Sequence, residues 1–188
     1  LRVDAGARAV WLPQELILFD GARLRRRAEA QLDANASLFL AETWTLGRAA
    51  MGEVVRSGAL FDRWRIYRGD ALVWADGFAL DSDDVGDLQA HIEQAAVLNA
   101  NRALMSAVLV CDDPQRFVEA IRNALRAPSS HRFEAAVTHV GAALVVRAVS
   151  DNARWLRAAL HRVVDALGSD AQDGNPLSGC RLPTVFHY

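Results

Sequence analysis

Residues 60–74 have the sequence LFDRWRIYRGDALVW, and this segment predicts a β-hairpin. Aromatic and β-branched residues, which favour strands, lie on both sides of the short turn Arg68-Gly69-Asp70. The two strands are expected at residues 60–67 and 71–74. The hairpin places this part of the chain in a β-sheet.

Further turn signals divide the rest of the first half into segments as long as ordinary β-strands. They occur at Ala5-Gly6, Asp20-Gly21, Asp33-Ala34-Asn35, Gly47, Ser57-Gly58 and Asp76-Gly77. This spacing predicts antiparallel β-structure.

Residues 23–32 fit two kinds of secondary structure. Polar and apolar residues alternate with period two, as in a half-buried strand, with one exception at Arg26. Leu24, Ala28 and Leu32 also form a helical i, i+4 stripe, and alanine, arginine and leucine favour helix. We favour a strand because the neighbouring segments are strands.

The second half of the chain predicts the order β-α-β-β-α. A first helix is expected after Asp113-Pro114, with Asp113 as N-cap and Pro128 as its stop. Its buried face would consist of Phe117, Ile121 and Leu125. A hairpin is expected at residues 133–140 and 142–149, joined at Gly141.

A second helix is expected after Ser150-Asp151, which would cap it, and it should end at Gly168. Its buried stripe comprises Leu156, Leu160, Val163, Val164 and Leu167. The acidic stretch that follows Asp81 suggests a boundary near residues 81–100. We therefore expect a β-sheet portion at residues 1–90 and an α+β portion at 91–188, packed on it.

The composition indicates a folded protein, with 52% hydrophobic and 23% charged residues among 188. A net charge of −2 gives no overall positive field to attract nucleic acid or an anionic membrane. All 21 basic residues are arginine, which excludes lysine Schiff-base chemistry and a P-loop. No apolar run approaches the ~20 residues of a membrane span. Leu1 begins a strand-like segment, so we expect a fragment of a longer protein.

No catalytic or metal-binding motif is present in the sequence. The five histidines form neither HxH nor HExxH, and Cys111 and Cys180 lack paired spacing, which favours a reducing cytoplasm. The basic run at residues 23–27 predicts a solvated strand surface rather than a nucleic-acid site.

Two carboxylates in apolar strands are the most informative polar residues. Glu42 lies in LFLAETW, and Asp76 ends LVWAD. A buried, isolated carboxylate is costly, so each should be paired, hydrated or used in function. Arg48 and Arg63 are possible structural partners.

The loop at residues 47–53 is the second candidate site. Gly47 and Gly52 bracket Arg48 and Glu53, which suggests a tight turn with unusual backbone angles. The two charges would brace this turn or contact a partner.

Several motifs, in order and spacing, closely resemble the urease accessory protein family UreD, also called UreH. They are WLPQE at 11–15, LFDGARLRRR at 18–27, LGRAAMGE at 46–53, SGALFDRWRIYR at 57–68 and LPTVF at 182–186. Thr184 and Phe186 stand where the family usually has Arg and Trp. The family's N-terminal portion, which contains a glycine-rich stretch and another acidic residue, has no counterpart here.

The resemblance implies a mainly β fold of stacked sheets resembling a β-helix, with two helices near the C-terminus. It also implies a non-enzymatic, cytoplasmic scaffold that binds apo-urease and UreF, with the GTPase UreG recruited through UreF. A water-filled tunnel would carry nickel in transit, without a stably bound cofactor or tight metal site, and Glu42 and Asp76 would occupy acidic tunnel positions. Oxygen ligands suit such transit, because tight nickel sites use imidazole or thiolate.

Two alternatives belong to other functional classes. Glu42 and Asp76 could act as the acid and base of an enzyme. The protein could also be a purely structural interaction module, with both carboxylates in ion pairs.

Overall fold

A computed structural model describes residues 1–126 and 132–169 of the chain. The strands are β1 (Arg2–Val3), β2 (Arg8–Trp11), β3 (Leu16–Leu18), β4 (Arg23–Leu32), β5 (Ser37–Leu46), β6 (Ala59–Arg68), β7 (Ala71–Asp81), β8 (Ala103–Val110), β9 (Phe133–Val140) and β10 (Ala143–Ser150). The α-helices are α1 (Ser82–Val85), α2 (Leu88–Ile92), α3 (Val118–Ala124) and α4 (Ala153–Gly168). Short 3₁₀ turns occur at Ala49–Met51 and Pro114–Phe117.

The strands form two sheets. The four-stranded sheet has the order β1-β4-β6-β7, and the six-stranded sheet has the order β2-β5-β8-β10-β9, with β3 also paired to β5. The chain passes from β4 in the first sheet to β5 in the second and returns to the first at β6. This alternation resembles the winding of a β-helix, and the mainly β prediction is confirmed.

Strand direction differs in part from the antiparallel expectation. The β6–β7 hairpin and the pairs β5–β8, β8–β10 and β9–β10 are antiparallel, whereas β1–β4, β4–β6, β2–β5 and β3–β5 are parallel. A chain that crosses to the other sheet and returns runs in its original direction, so its strands pair in parallel. Turn residues mark where a strand ends, but they do not specify the sheet that the next strand joins.

Residues 23–32 form strand β4, as favoured from the sequence. All ten residues pair with β6, and Leu24, Ala28 and Leu32 pack between the two sheets. The predicted hairpin around Gly69 is also confirmed, and its second strand continues to Asp81. Burial against the second sheet explains why the strand prevails over the helical stripe of the same residues.

The six-stranded sheet has an apolar core on each side. In β5, Leu38, Leu40 and Trp44 face the four-stranded sheet, whereas Phe39 and Ala41 face the layer that contains α3 and α4. The second core contains the predicted helical stripe: Leu156, Leu160, Val163, Val164 and Leu167. The described chain therefore has three layers, with the six-stranded sheet in the middle.

The order β-α-β-β-α is confirmed, with two differences at the helix starts. Asp113 makes no side-chain capping hydrogen bond, because the segment after it begins as a 3₁₀ turn. The N-cap of α4 is Asn152, whose side chain accepts a hydrogen bond from the Arg154 backbone N–H, and not Ser150-Asp151. Ser150 instead accepts from the Asn152 backbone N–H. Pro128 lies outside the described residues.

The acidic stretch near residue 81 caps two short helices that were not expected from the sequence. Asp81 accepts a hydrogen bond from the Asp83 backbone N–H at the start of α1, and Asp87 accepts one from Ala90 at the start of α2. Strands β5 and β8, which lie before and after this region in the chain, pair with each other in the six-stranded sheet. The division at residue 90 stays a prediction. Among the described helices, none has the length and apolar composition to cross a bilayer.

Candidate functional site

A layer of charged side chains interrupts the apolar core between the two sheets. Arg26 on β4 and Asp62 on β6 are cross-strand neighbours, and both point towards the six-stranded sheet. Glu42 on β5 faces them from that sheet. The exposed fractions of Glu42 and Asp62 are only 4% and 2%, so both carboxylates are withdrawn from solvent.

Arg26 binds both buried carboxylates. Its Nε and Nη2 donate to the two oxygens of Asp62, each at 3.0 Å, and its Nη1 donates to Oε2 of Glu42 at 3.0 Å. The guanidinium carbon lies 5.6 Å from the centre of the Trp44 ring. The bidentate geometry and the low local polarity make these charge-assisted hydrogen bonds strong.

Two indole groups complete the hydrogen bonding of the carboxylates. Trp64 Nε1 donates to Asp62 Oδ2 at 2.8 Å, and Trp11 Nε1 donates to Glu42 Oε1 at 3.3 Å. Each oxygen of Glu42 and Asp62 therefore accepts at least one hydrogen bond, which offsets part of the desolvation penalty.

The buried position of Glu42 affects its protonation. Burial raises the pKa of the Glu42 carboxyl above its ordinary value, while the charge and hydrogen bond of Arg26 and the hydrogen bond of Trp11 oppose this rise. The negative charge of Asp62 adds to the increase. Two carboxylates thus share one cation in a region with little solvent.

Asp76 belongs to a second ion-pair cluster in the same layer. Its Oδ1 accepts from Arg147 Nη2 at 2.5 Å and from the Gly77 backbone N–H at 2.8 Å. Arg147 lies on β10 opposite Ser106 of β8, and Ser106 lies opposite Glu42 of β5. The row Glu42–Ser106–Arg147 therefore crosses the six-stranded sheet and links the two clusters.

A cavity of about 190 Å³ opens between the sheets beside this row. Its polar lining comes from Asp62, Asp76, Ser106 and Arg147, and its apolar lining includes Trp44, Trp64, Phe78, Val97, Leu98, Leu104 and Met105. The volume accommodates several water molecules. Glu42 is not part of the lining. Within the described ranges, no group of three or more His, Cys, Asp or Glu residues is arranged to hold a metal ion.

The structure brings Glu42 and Asp76 into one layer but gives them different partners from those expected. Arg26 and Arg147 are the partners, and the expectation of Arg48 and Arg63 was wrong. Arg48 is paired within its own loop. Arg63 lies between the inward residues Asp62 and Trp64 of β6. Because successive side chains of a strand point to opposite faces, Arg63 lies on the outer face of the sheet.

The sequence does indicate that Arg26 and Asp62, which were not expected at the site, are charged residues at inward strand positions. Arg26 is the single exception to the polar-apolar alternation of residues 23–32, since it occupies an inward position. Asp62 shares the parity of the buried residues Leu60 and Trp64. A charge on the apolar face of each of two neighbouring strands indicates a buried ion pair.

The loop at residues 47–53 is braced by its own charges. Arg48 Nε and Nη2 donate to the two oxygens of Glu53 at 2.9 and 3.1 Å, and the Arg48 backbone N–H also donates to Oε2. These bonds lower the pKa of Glu53 to about 2. Gly47 and Gly52 have φ angles of +76° and +67°. Partner contact by this loop stays a prediction.

The guanidinium of Arg48 also covers the ring of Phe19, at 4.7 Å from its centre. Phe19 and the loop residue Met51 are exposed. The predicted C-terminal motif with Thr184 and Phe186 lies outside the described residues.

Comparison with known proteins identifies the family. The family model for the UreD urease accessory protein matches residues 1–178. The chain is 36% identical to the urease accessory protein UreD of Methylobacterium sp. (strain 4-46), over 88% of this chain and 58% of that protein. It is 42% identical to urease accessory protein UreD 1 of Bradyrhizobium sp. (strain ORS 278), over 87% of this chain and 56% of that protein.

A third relative, UreD of Xanthobacter autotrophicus (strain ATCC BAA-1158 / Py2), is 41% identical over 84% of this chain and 52% of its own length. The chain thus spans a little over half the length of these curated relatives. The family match extends over most of the chain and includes all strands of both sheets. This chain belongs to the UreD urease accessory protein family.

Proposed function

We propose that this chain acts in urease maturation as a non-catalytic scaffold that binds apo-urease and UreF, with UreG recruited through UreF. The single observation that carries the proposal is the family match over residues 1–178. The relatives are named as urease accessory proteins, so a role in preparing urease is the function that the match supports best.

The proposal includes a path for nickel through the cavity between the two sheets. Asp62, Asp76 and Ser106 offer oxygen donors to this cavity. Such donors bind nickel more weakly than imidazole or thiolate, so they suit a cation in transit and not one held permanently. Nickel is cargo in this scheme. Glu42 influences the cavity indirectly, because its partner Arg26 also binds Asp62 of the cavity lining.

Negative side chains assist a divalent cation in a region of low dielectric constant. A cation that moves from water into the space between two protein sheets loses hydration energy, and nearby carboxylates replace part of that energy. The cavity's two carboxylates lie on β6 and β7, whereas its arginine lies on β10 of the facing sheet. The lining thus provides both the attraction that admits a cation and a positive charge that limits its retention.

Co-expression with urease subunits, UreF and UreG tests the scaffold. We expect the tagged chain to purify together with apo-urease and UreF, and the nickel content of urease to fall when the chain is omitted. Recovery of the chain without either protein, combined with full nickel loading in its absence, would refute the proposal. When variants of the chain are compared in this assay, Asp70→Asn is the control for loss of a carboxylate, because Asp70 lies in the exposed β6–β7 turn.

The ion pairs favour a second candidate, a purely structural module. Glu42 and Asp76 are both bound to arginine, as a role in stability requires. Loss of either partner would then reduce folding before it affected nickel loading. The acid-base enzyme receives no support from this geometry, because both oxygens of Glu42 accept hydrogen bonds and Glu42 does not line the cavity with Asp76.

A further inference from the structure

The outer face of the four-stranded sheet carries a group of arginines that the function proposed above does not use. Arg25 and Arg27 of β4 and Arg63 and Arg65 of β6 occupy the outward positions of two adjacent strands. These four residues are here called the arginine face. Glu29 of β4 is the acidic residue among them.

The register of β4 and β6 brings like charges together. Arg27 lies directly opposite Arg63, and Arg65 lies opposite Glu29. Like charges on directly opposed residues destabilise a sheet. Glu29 is already in an ion pair with Arg27, so it does not balance the other arginines.

The side chains of Arg63 and Arg65 make no ion pair or hydrogen bond with any part of the chain that the structure describes. The neighbouring Arg23 shows the contrast, because Asp83 and Asp81 neutralise it at 2.6 and 3.5 Å. The sheet therefore balances charge at its end and leaves a concentrated positive charge at its centre. The whole chain nevertheless has a net charge of −2.

The surface beside the arginine face is exposed to solvent. The adjacent strand β7 presents Ala75, Gly77 and Ala79 outward, and all three are exposed. These small residues neither cover the arginines nor neutralise them. The guanidinium carbon of Arg25 lies 4.6 Å from the centre of the Phe61 ring, which supports it on the sheet surface.

We propose that the arginine face is a docking surface for a protein partner that presents several carboxylates. Unpaired guanidinium groups on a rigid sheet match carboxylates, because each guanidinium can donate two parallel hydrogen bonds to the two oxygens of one carboxylate. The opposed pair Arg27 and Arg63 gains stability when an anion binds between them. Electrostatic complementarity of this kind directs association and sets the orientation of the complex.

Protein fits this surface better than nucleic acid. A single-stranded nucleic acid requires exposed aromatic rings on which bases stack, and Arg25 covers the Phe61 ring. The negative net charge also opposes a long polyanion, whereas a compact group of carboxylates contacts only the local positive surface.

Fluorescence anisotropy with a labelled polyglutamate peptide of about 20 residues tests the proposal, with a single-stranded RNA of the same length as the competing probe. We expect the unmodified protein to bind the peptide more tightly than the RNA. The double variant Arg63→Glu/Arg65→Glu should bind the peptide at least about tenfold more weakly. Arg126→Glu/Arg154→Glu is the matched control, because it changes the net charge equally at exposed positions away from this sheet.

Three results would overturn the proposal: no peptide binding by the unmodified protein, equal loss of binding in both double variants, or a preference for RNA. Equal loss would mean that net charge alone controls the interaction. If the Glu variant unfolds by circular dichroism, Arg63→Gln/Arg65→Gln provides the comparison, with an expected loss in the same direction.

Discussion

Arg26 is the residue on which the charged layer between the sheets depends, because it is the cation bound by both Glu42 and Asp62. Replacement of Arg26 by Met would leave the buried carboxylates of Glu42 and Asp62 without their shared cation. We expect the free energy of unfolding to fall by about 3–5 kcal/mol. Urea denaturation measures this change.

The adjacent Arg25 provides the control for that experiment. Its side chain lies on the opposite, exposed face of β4, so Arg25→Met should change stability by no more than about 0.5 kcal/mol. Adding Glu42→Gln and Asp62→Asn to Arg26→Met should restore part of the loss, because neutral side chains need no cation. Equal effects of Arg25→Met and Arg26→Met would contradict the role assigned to the buried ion pairs.

Glu42 should make the stability of the protein depend on pH. Burial raises its folded-state pKa above the ordinary value, so the native state holds the proton more tightly than the unfolded state. The contribution of Glu42 to stability therefore falls as pH rises from about 4.5 through the raised pKa. Glu42→Gln removes this titration, and unfolding free energies of both proteins from about pH 4 to about pH 8 test it.

The stability of the unmodified protein relative to Glu42→Gln should decline across that range. A constant difference between the two proteins at every pH would show that the pKa of Glu42 is the same in the folded and unfolded states.

At the scale of the element, the loop at residues 47–53 allows a direct comparison of its two glycines. A Cβ atom on Gly47 would lie 3.0 Å from the carbonyl oxygen of Glu53, whereas a Cβ on Gly52 would meet no atom within 4 Å. Both residues have positive φ, so Ala at either position costs about 1–2 kcal/mol. We expect Gly47→Ala to lower the thermal unfolding midpoint more than Gly52→Ala does. The reverse order would contradict the close packing described for Gly47.

Local sequence signals predicted several elements but not their pairing. The hairpin around Gly69, the stripe of α4 and the strand at residues 23–32 were predicted, because turns and periodicity are local properties. The parallel pairs were not, because they depend on how the chain alternates between sheets. Glu42 and Asp76 were recognised as unusual, but their partners Arg26 and Arg147 lie in the opposite sheet in each case, so sequence spacing could not identify the pairs.

At the scale of the whole molecule, the six-stranded sheet separates two different interiors. The side that faces α3 and α4 is an apolar core, whereas the side that faces the four-stranded sheet also holds the charged layer and the cavity. Two packed sheets provide walls rigid enough to fix carboxylates beside a space for water. This arrangement explains how the chain holds charged side chains in its interior.

One comparison separates the proposed path for nickel from a purely structural role of the two carboxylates. Complex yield and nickel per urease active site should be measured together for Glu42→Gln, Asp76→Asn and the double variant, co-expressed with urease, UreF and UreG. We predict that the double variant assembles normally with UreF and apo-urease but loads less nickel. Asp76→Asn removes a negative charge from the cavity lining, and Glu42→Gln removes one from the Arg26 ion pairs beside it, while both side chains keep their shape. Normal nickel content in a fully assembled complex, or loss of assembly before any loss of nickel, would contradict this prediction.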